Sequence, residues 1–291
     1  MHLKANPVTD LSDHFDDAKR HIERAARHAT PFLERFARFG FAAKGVVYIV
    51  IGYLAALAPV GLRRHPTGVH GALVTLLRQP IGSLLLAVIA FGFATFGIWL
   101  IIRAAVDPEH EGRSWSAIGI RIGWAFGGLT HFGVVVAAIH MIIGYATRDD
   151  EIEARDWTAT ILAYPLGRWI VAGVDVGILI YGLLQIHHGL LDRLDPRLAL
   201  GGVSETSRRW IRAVCRFGMT ARGVVFSMLG AFLIRAAYDF NAKEARGLGG
   251  TLRELAAEPH GRALLAIAAL GLIAFGVYML VLGRYRRFTE S

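Results

Sequence analysis

A proline-x-glycine triplet stands at the head of three long apolar runs: Pro80-Ile-Gly82, Pro165-Leu-Gly167 and Pro259-His-Gly261. Each triplet is followed by glycines twelve and seventeen residues after its proline (Gly92 and Gly97, Gly177 and Gly182, Gly271 and Gly276). Two of the runs are long enough to decide the solvent. Ile81 to Ile102 is 22 residues without a charge, and Ala263 to Leu282 is 20. A stretch of about 18 or more reads as a membrane-spanning helix, because only a helix satisfies its own backbone hydrogen bonds in hydrocarbon. The chain is 54% hydrophobic and 19% charged, with a mean hydropathy of +0.43. A soluble chain carries about a quarter of its residues as charges.

A second motif precedes each proline unit. Arg38-Phe-Gly40 and Lys44-Gly45 recur as Arg216-Phe-Gly218 and Arg222-Gly223, and in diverged form as Arg121-Ile-Gly123 and Gly127-Gly128. Internal repeats set the architecture before any residue-level reading. The expected fold is all-α and polytopic, with six transmembrane helices arranged as three tandem helical hairpins in a pseudo-threefold repeat. The boundaries are a polar N-terminal segment over 1–35, hairpins over 36–106, 119–191 and 214–284, and a tail over 285–291. First helices are expected over Gly45–Leu62, Ile122–Thr147 and Phe217–Tyr238. Second helices are expected over 81–103, 166–189 and 261–283. The fifth span crosses only if Arg222 and Arg235 snorkel to opposite interfaces.

The connector before the first proline has Leu73, Leu76 and Leu77, and that before the third has Leu252, Leu255 and Ala256. That spacing makes one apolar face of a short helix. Residues 1–35 place Asp10, Asp13, Asp16 and Asp17 before Lys19, Arg20, Arg24 and Arg27, the order that suits a surface helix dipole. No apolar core follows a short basic start, so no signal peptide is expected.

The formal charge of +9 is a signal of topology rather than of nucleic-acid binding. The side bearing both termini holds 21 basic residues and the other side 11, so both termini are expected in the cytoplasm of a bacterial inner membrane. The surplus also attracts anionic lipid headgroups. The lone Cys215 excludes an internal disulfide and a cysteine metal cluster.

Glycines spaced five or seven apart in the spans let neighbouring helices approach closely. Gly45, Gly52, Gly92, Gly97, Gly177, Gly182, Gly223, Gly230, Gly271 and Gly276 are read as packing positions in a closed bundle. Ionisable residues at membrane depth are functional candidates. His131, His140 and Asp175 qualify, all in the middle hairpin. His140 and Asp175 are expected at similar depth, facing each other as a proton or cation site or as a polar pair fixing helix register. Haem b between His131 and His187 or His188 is the remaining cofactor option, and no metal site is expected. The sequence has no His-Glu-x-x-His, phosphate loop or dinucleotide-binding glycine pattern.

The thrice-repeated arginine-glycine opening and the Pro-x-Gly second helix resemble the bacterial membrane family catalogued as domain of unknown function 1206. Lys44-Gly45-Val-Val-Tyr48 and Arg222-Gly223-Val-Val-Phe226 match its hallmark, together with Arg38, Arg121 and Arg216. The middle hairpin departs at Gly127 and His131. The resemblance covers residues 36–284 and implies the hairpin architecture without implying an activity. The leading expectation is a non-catalytic membrane bundle or partner-binding subunit, with homo-oligomer or protein partner left open. The alternative is a small transporter or channel for protons, cations or a small solute, using the polar residues of the second repeat.

Overall fold

The computed structural model describes residues 34–62, 65–106, 114–145, 150–195, 198–239 and 246–287. The expected N-terminal surface helix lies outside the described residues. Nine helices are described: α1 Glu34–Ala56, α2 Val69–Leu77, α3 Gly82–Val106, α4 Trp115–Ile142, α5 Asp150–Leu162, α6 Gly167–Leu190, α7 Glu205–Tyr238, α8 Leu248–Ala257 and α9 Gly261–Tyr285. Six of them, α1, α3, α4, α6, α7 and α9, are long and apolar enough to span a bilayer. The only extended pairing among the described residues is an isolated bridge between Leu198 and Arg286.

Each hairpin is a span, a short connector helix and a second span. The connectors α2, α5 and α8 lie on one side of the bundle, and the first and last described turns lie on the other, here called the terminal side. The apolar faces of α2 and α8 point into the bundle, burying Ala72 and Leu73 in α2 and Leu248 and Leu252 in α8. The Pro-x-Gly triplet makes the turn from connector to span, with the glycine N–H donating to the carbonyl three residues back: Gly82 to Gln79, Gly167 to Tyr164, Gly261 to Glu258. The glycine is required by space. A Cβ on Gly82 would lie 1.8 Å from the Leu77 carbonyl oxygen, and one on Gly167 1.6 Å from that of Ile161.

Two first helices begin earlier than the charges suggested. α1 is already helical at Glu34, ahead of Gly45, and α7 starts at Glu205 rather than Phe217. The 34 residues of α7 are about 51 Å long, more than the ~30 Å hydrocarbon core, so its arginine-rich start emerges on the terminal side. Ser204 caps that start by accepting from the Ser207 N–H, and Ser114 caps α4 through Ala117. α4 also stops earlier than expected, at Ile142. Gly144 takes a left-handed φ of +82°, the Gly144 N–H donates to Met141 and the Tyr145 N–H to His140. This is the paired-bond glycine terminus that closes helices.

The spans pack as a ring with one open seam. Between repeats, each second helix meets the next first helix through paired glycines: Gly97 against Gly128, Gly182 against Gly223, and Gly276 against Gly45, which joins the last helix to the first. Within a repeat, Gly92 of α3 receives Ala43 of α1, and Gly271 of α9 receives Ala221 of α7. The middle hairpin breaks this pattern. Phe126 occupies the position of Ala43 and Ala221, and α4 and α6 do not pack along each other. Gly123 on α4 and Gly177 on α6 have nothing within 4 Å of a would-be Cβ. The expected closed bundle is therefore open between the two helices of its second repeat. Burial follows: 56% of the α1, α3 and α9 windows is buried, against 11% for α4 and 22% for α6.

The repeated arginine has a structural task in each hairpin. Arg121 donates to the carbonyls of Ala104 and Ala105 at 2.7 and 3.0 Å, Arg216 to those of Gly189 and Leu190 at 2.9 and 2.7 Å, and Arg38 to those of Gly283 and Arg284 at 3.0 and 2.8 Å. Each caps the last turn of a second helix from a neighbouring repeat, where carbonyls lack partners and a cation complements the helix dipole.

Candidate functional site

The repeat brings three sets of equivalent residues to the middle of the ring. The first is Lys44, Gly127 and Arg222. The second, one turn on, is Tyr48, His131 and Phe226. The third, just before the second glycine of each second helix, is Phe96, Tyr181 and Phe275. The rings pair across the inter-repeat seams with threefold regularity: Phe96 with His131 at 4.9 Å, Tyr181 with Phe226 at 6.1 Å, and Phe275 with Tyr48 at 4.8 Å between centroids. Six rings thus form a collar inside the bundle.

Two cations sit on the collar. The Lys44 ammonium lies 4.9 Å from the Phe96 centroid. The Arg222 guanidinium lies 3.9 Å from Phe226 and 4.5 Å from Phe275. Its Nε donates to the Tyr48 hydroxyl at 3.0 Å and its Nη1 to the Tyr181 hydroxyl at 3.3 Å. Arg222 is 3% exposed and buried among its ring partners, so it does not snorkel as the sequence suggested. Lys44 is half-buried. Each lies six residues, about 9 Å, further into the bundle than the capping arginine of its own helix, Arg216 or Arg38.

Arg222 binds the hydroxyl of Tyr48, which stands one turn from Lys44 on α1, and Lys44 and His131 both meet the Phe96 ring. Neither cation forms an ion pair with an acid among the described residues. A charge at the centre of a spanning helix costs about 2.5–3.5 kcal/mol on insertion scales. Here two of like sign are linked through Tyr48. Gln185, one turn from Tyr181 on the same face of α6, is buried, and both its amide oxygen and nitrogen lack partners. The collar therefore offers cationic donors, hydroxyls already turned inward, aromatic walls and one unused amide. That set matches an anion.

The sequence-predicted residues scatter. His131 belongs to the collar, with Nδ1 2.5 Å from the Gly127 carbonyl oxygen and its ring stacked 5.4 Å from Phe93. Asp175 is 3% exposed, and its Oδ2 has no partner. It lies six residues before Tyr181, where the other repeats carry Ala90 and Ala269. His140 is exposed two residues from the end of α4, its ring 5.8 Å from that of Tyr145. The expected His140–Asp175 pair is not formed. Early termination at Gly144 puts His140 at the helix end, and the open seam separates the two helices. His187 and His188 are exposed on α6, away from His131 across the same seam. No cluster of three or more metal-ligating side chains occurs among the described residues.

Of the ten glycines read as packing positions, nine abut a neighbouring helix and Gly177 faces the open seam. The site residues that sequence reasoning missed are Phe96, Tyr181, Phe275 and Gln185. The signal was present, since an aromatic residue precedes the second glycine in all three second helices.

On the terminal side, two adjoining depressions of about 380 and 420 Å³ lie among Arg208, Arg209, Arg212, Arg216 and Arg287. Asp192 and Glu205 offset part of that charge, through contacts of 3.4–3.9 Å.

Fold and site define a multi-pass membrane protein of three helical hairpins around a cationic, aromatic centre. The family described as Domain of Unknown Function (DUF1206) matches the chain three times, over residues 39–107, 122–192 and 217–286, and the chain belongs to that family. It is 33% identical over 276 residues to the uncharacterized protein YxxB of Bacillus subtilis (strain 168), covering 93% of this chain and 97% of that protein. No solved structure matches it.

Proposed function

We propose that this protein is a non-catalytic membrane module that binds a small anion inside the bundle, in the collar formed by the three repeats. One observation carries this reading: buried Arg222 and half-buried Lys44 are linked through Tyr48, one turn from Lys44, and neither pairs with an acid among the described residues. A bound anion supplies the missing counter-charge, accepting from both cations while the rings exclude water. The interior charge is positive, so the transport alternative shifts from protons or cations to anions. In the membrane the chain lies with both termini in the cytoplasm. With Lys44 and Arg222 assigned to the interior, the basic residues still divide nineteen to eleven in favour of that side. The terminal-side arginines then meet anionic headgroups of the inner leaflet.

The test is thermal unfolding of purified, delipidated protein in neutral detergent against a series of monoanions from chloride to carboxylates. An anion that binds the folded state at a hundred times its Kd stabilises it by about 2.7 kcal/mol. The stabilisation is expected for wild type and is lost in Arg222→Met and Lys44→Met. A purely structural bundle is favoured by the five glycine-tight seams, and it predicts that no anion separates wild type from these variants.

A further inference from the structure

We infer that the collar's anion is membrane-borne and tailed, a fatty carboxylate, and that it enters sideways through the open seam between α4 and α6. This rests on the anion reading above and names the class of ligand.

The seam is a property of the sequence. Two hairpins close by setting an alanine into a glycine of the partner helix, Ala43 into Gly92 and Ala221 into Gly271. The middle hairpin has Phe126 where the alanine should be, and that ring is 42% exposed. Gly123 beside it on α4 and Gly177 on α6 both border open space. The equivalents of Gly123 are filled: Gly40 packs on Phe96 and Gly218 on Phe275. The residue that Gly123 would cover is Tyr181.

Tyr181 links the seam to the charge. Its ring is 48% exposed on the bilayer side, yet its hydroxyl accepts from Arg222. The distance from lipid to the buried guanidinium is therefore one tyrosine ring. Gln185, buried and unpartnered, lies one turn along the same face of α6. A headgroup passing Tyr181 meets Arg222 first, with Lys44 and the Gln185 amide each one helical turn from a tyrosine that Arg222 binds. Its tail stays in the seam, against Phe126 and the bare faces of Gly123 and Gly177.

Charge and access select the headgroup. Arg222 is buried behind the Tyr181 hydroxyl, so a compact carboxylate on one tail reaches it past a single ring more readily than a glycerophosphate diester on two. A water-borne anion of equal headgroup gains nothing from the seam. Because a bilayer or micelle concentrates the tailed ligand, palmitate should half-saturate at a total concentration on the order of a hundredfold below acetate.

The experiment compares palmitate with acetate, each titrated against the full-length protein in neutral-lipid nanodiscs and read by the shift in unfolding midpoint, with empty discs as background. Gly177→Trp and, separately, Gly123→Trp fill the seam where nothing stands in the way, so both should fold with an unchanged midpoint in the absence of ligand. The inference expects palmitate to half-saturate at least tenfold higher in either tryptophan variant, with acetate unaffected, and Arg222→Met to lose both. Palmitate binding that is indifferent to both seam variants, or no tighter than acetate, overturns lateral entry and leaves the anion site standing. Binding of both anions that survives Arg222→Met and Lys44→Met overturns the anion site itself.

Discussion

Replacing Lys44 with methionine should make the ligand-free protein more stable, although the residue sits in the middle of the bundle. A charge within a span costs up to about 2.5–3.5 kcal/mol. Against that, the structure offers one aromatic face, Phe96 at 4.9 Å, worth about 0.5–2 kcal/mol. No acid among the described residues is paired with it, and Arg222, bound to Tyr48 one turn away, adds repulsion. Methionine has similar length, no branch and a soft sulfur that packs well on a ring. Lys44→Met should therefore gain about 1–3 kcal/mol. Arg222→Met should go the other way and lose about 2 kcal/mol or more, because two charge-assisted hydrogen bonds to tyrosine hydroxyls and four ring contacts vanish together. Reversible unfolding by denaturing detergent, followed by tryptophan fluorescence on delipidated protein, reads both. A Lys44→Met protein less stable than wild type would mean that the ammonium is neutralised inside the fold, and the uncompensated collar would be refuted.

Gly223→Ala should destabilise by about 1–3 kcal/mol, since its Cβ would lie 2.7 Å from the Gly182 carbonyl oxygen, whereas Gly177→Ala should be neutral or gain up to about 1 kcal/mol of helix propensity in the same unfolding assay. Asp175→Ala, which restores the residue found in the other two repeats, should stabilise by about 1–3 kcal/mol; a loss would reveal a partner for the carboxylate. Arg121→Ala should destabilise by about 1–3 kcal/mol through the uncapped carbonyls of Ala104 and Ala105, and Arg121→Lys should recover part of it. A cysteine at Ser291 should react with an impermeant maleimide only after cells are opened; labelling of intact cells would reverse the assigned orientation.

Hairpin number and the turn at each Pro-x-Gly were legible because both are local: an uncharged run is long or it is not, and a glycine under a carbonyl announces itself by spacing. The starts of α1 and α7 were not. Arg38, Lys44, Arg216 and Arg222 look alike as letters, and charge alone placed all four outside the membrane. The fold gives them two roles. Arg38 and Arg216 reach across to carbonyls at a helix end, while Lys44 and Arg222, six residues on and rotated inward, are held by the rings around them. Only the tertiary arrangement distinguishes these roles. The same limit explains His140 and Asp175. Their depths were counted from a helix end that Gly144 moved, and their facing was assumed from a hairpin that Phe126 holds apart. The substitution of alanine by phenylalanine at one contact was visible in the repeat alignment, but its meaning depended on knowing which glycine it should have met.

The arginine caps have a bearing on biosynthesis. The carbonyls that end α9 are covered by Arg38, which leaves the ribosome some 245 residues earlier, and the glycine seam of α1 is filled by Gly276. The opening hairpin thus waits in the bilayer with one flank bare until the final helix is inserted. A chain truncated before α9 would lose more than its own last span: α1 would be left half-docked, and quality-control proteases would meet an exposed helix at each end of an unfinished circle.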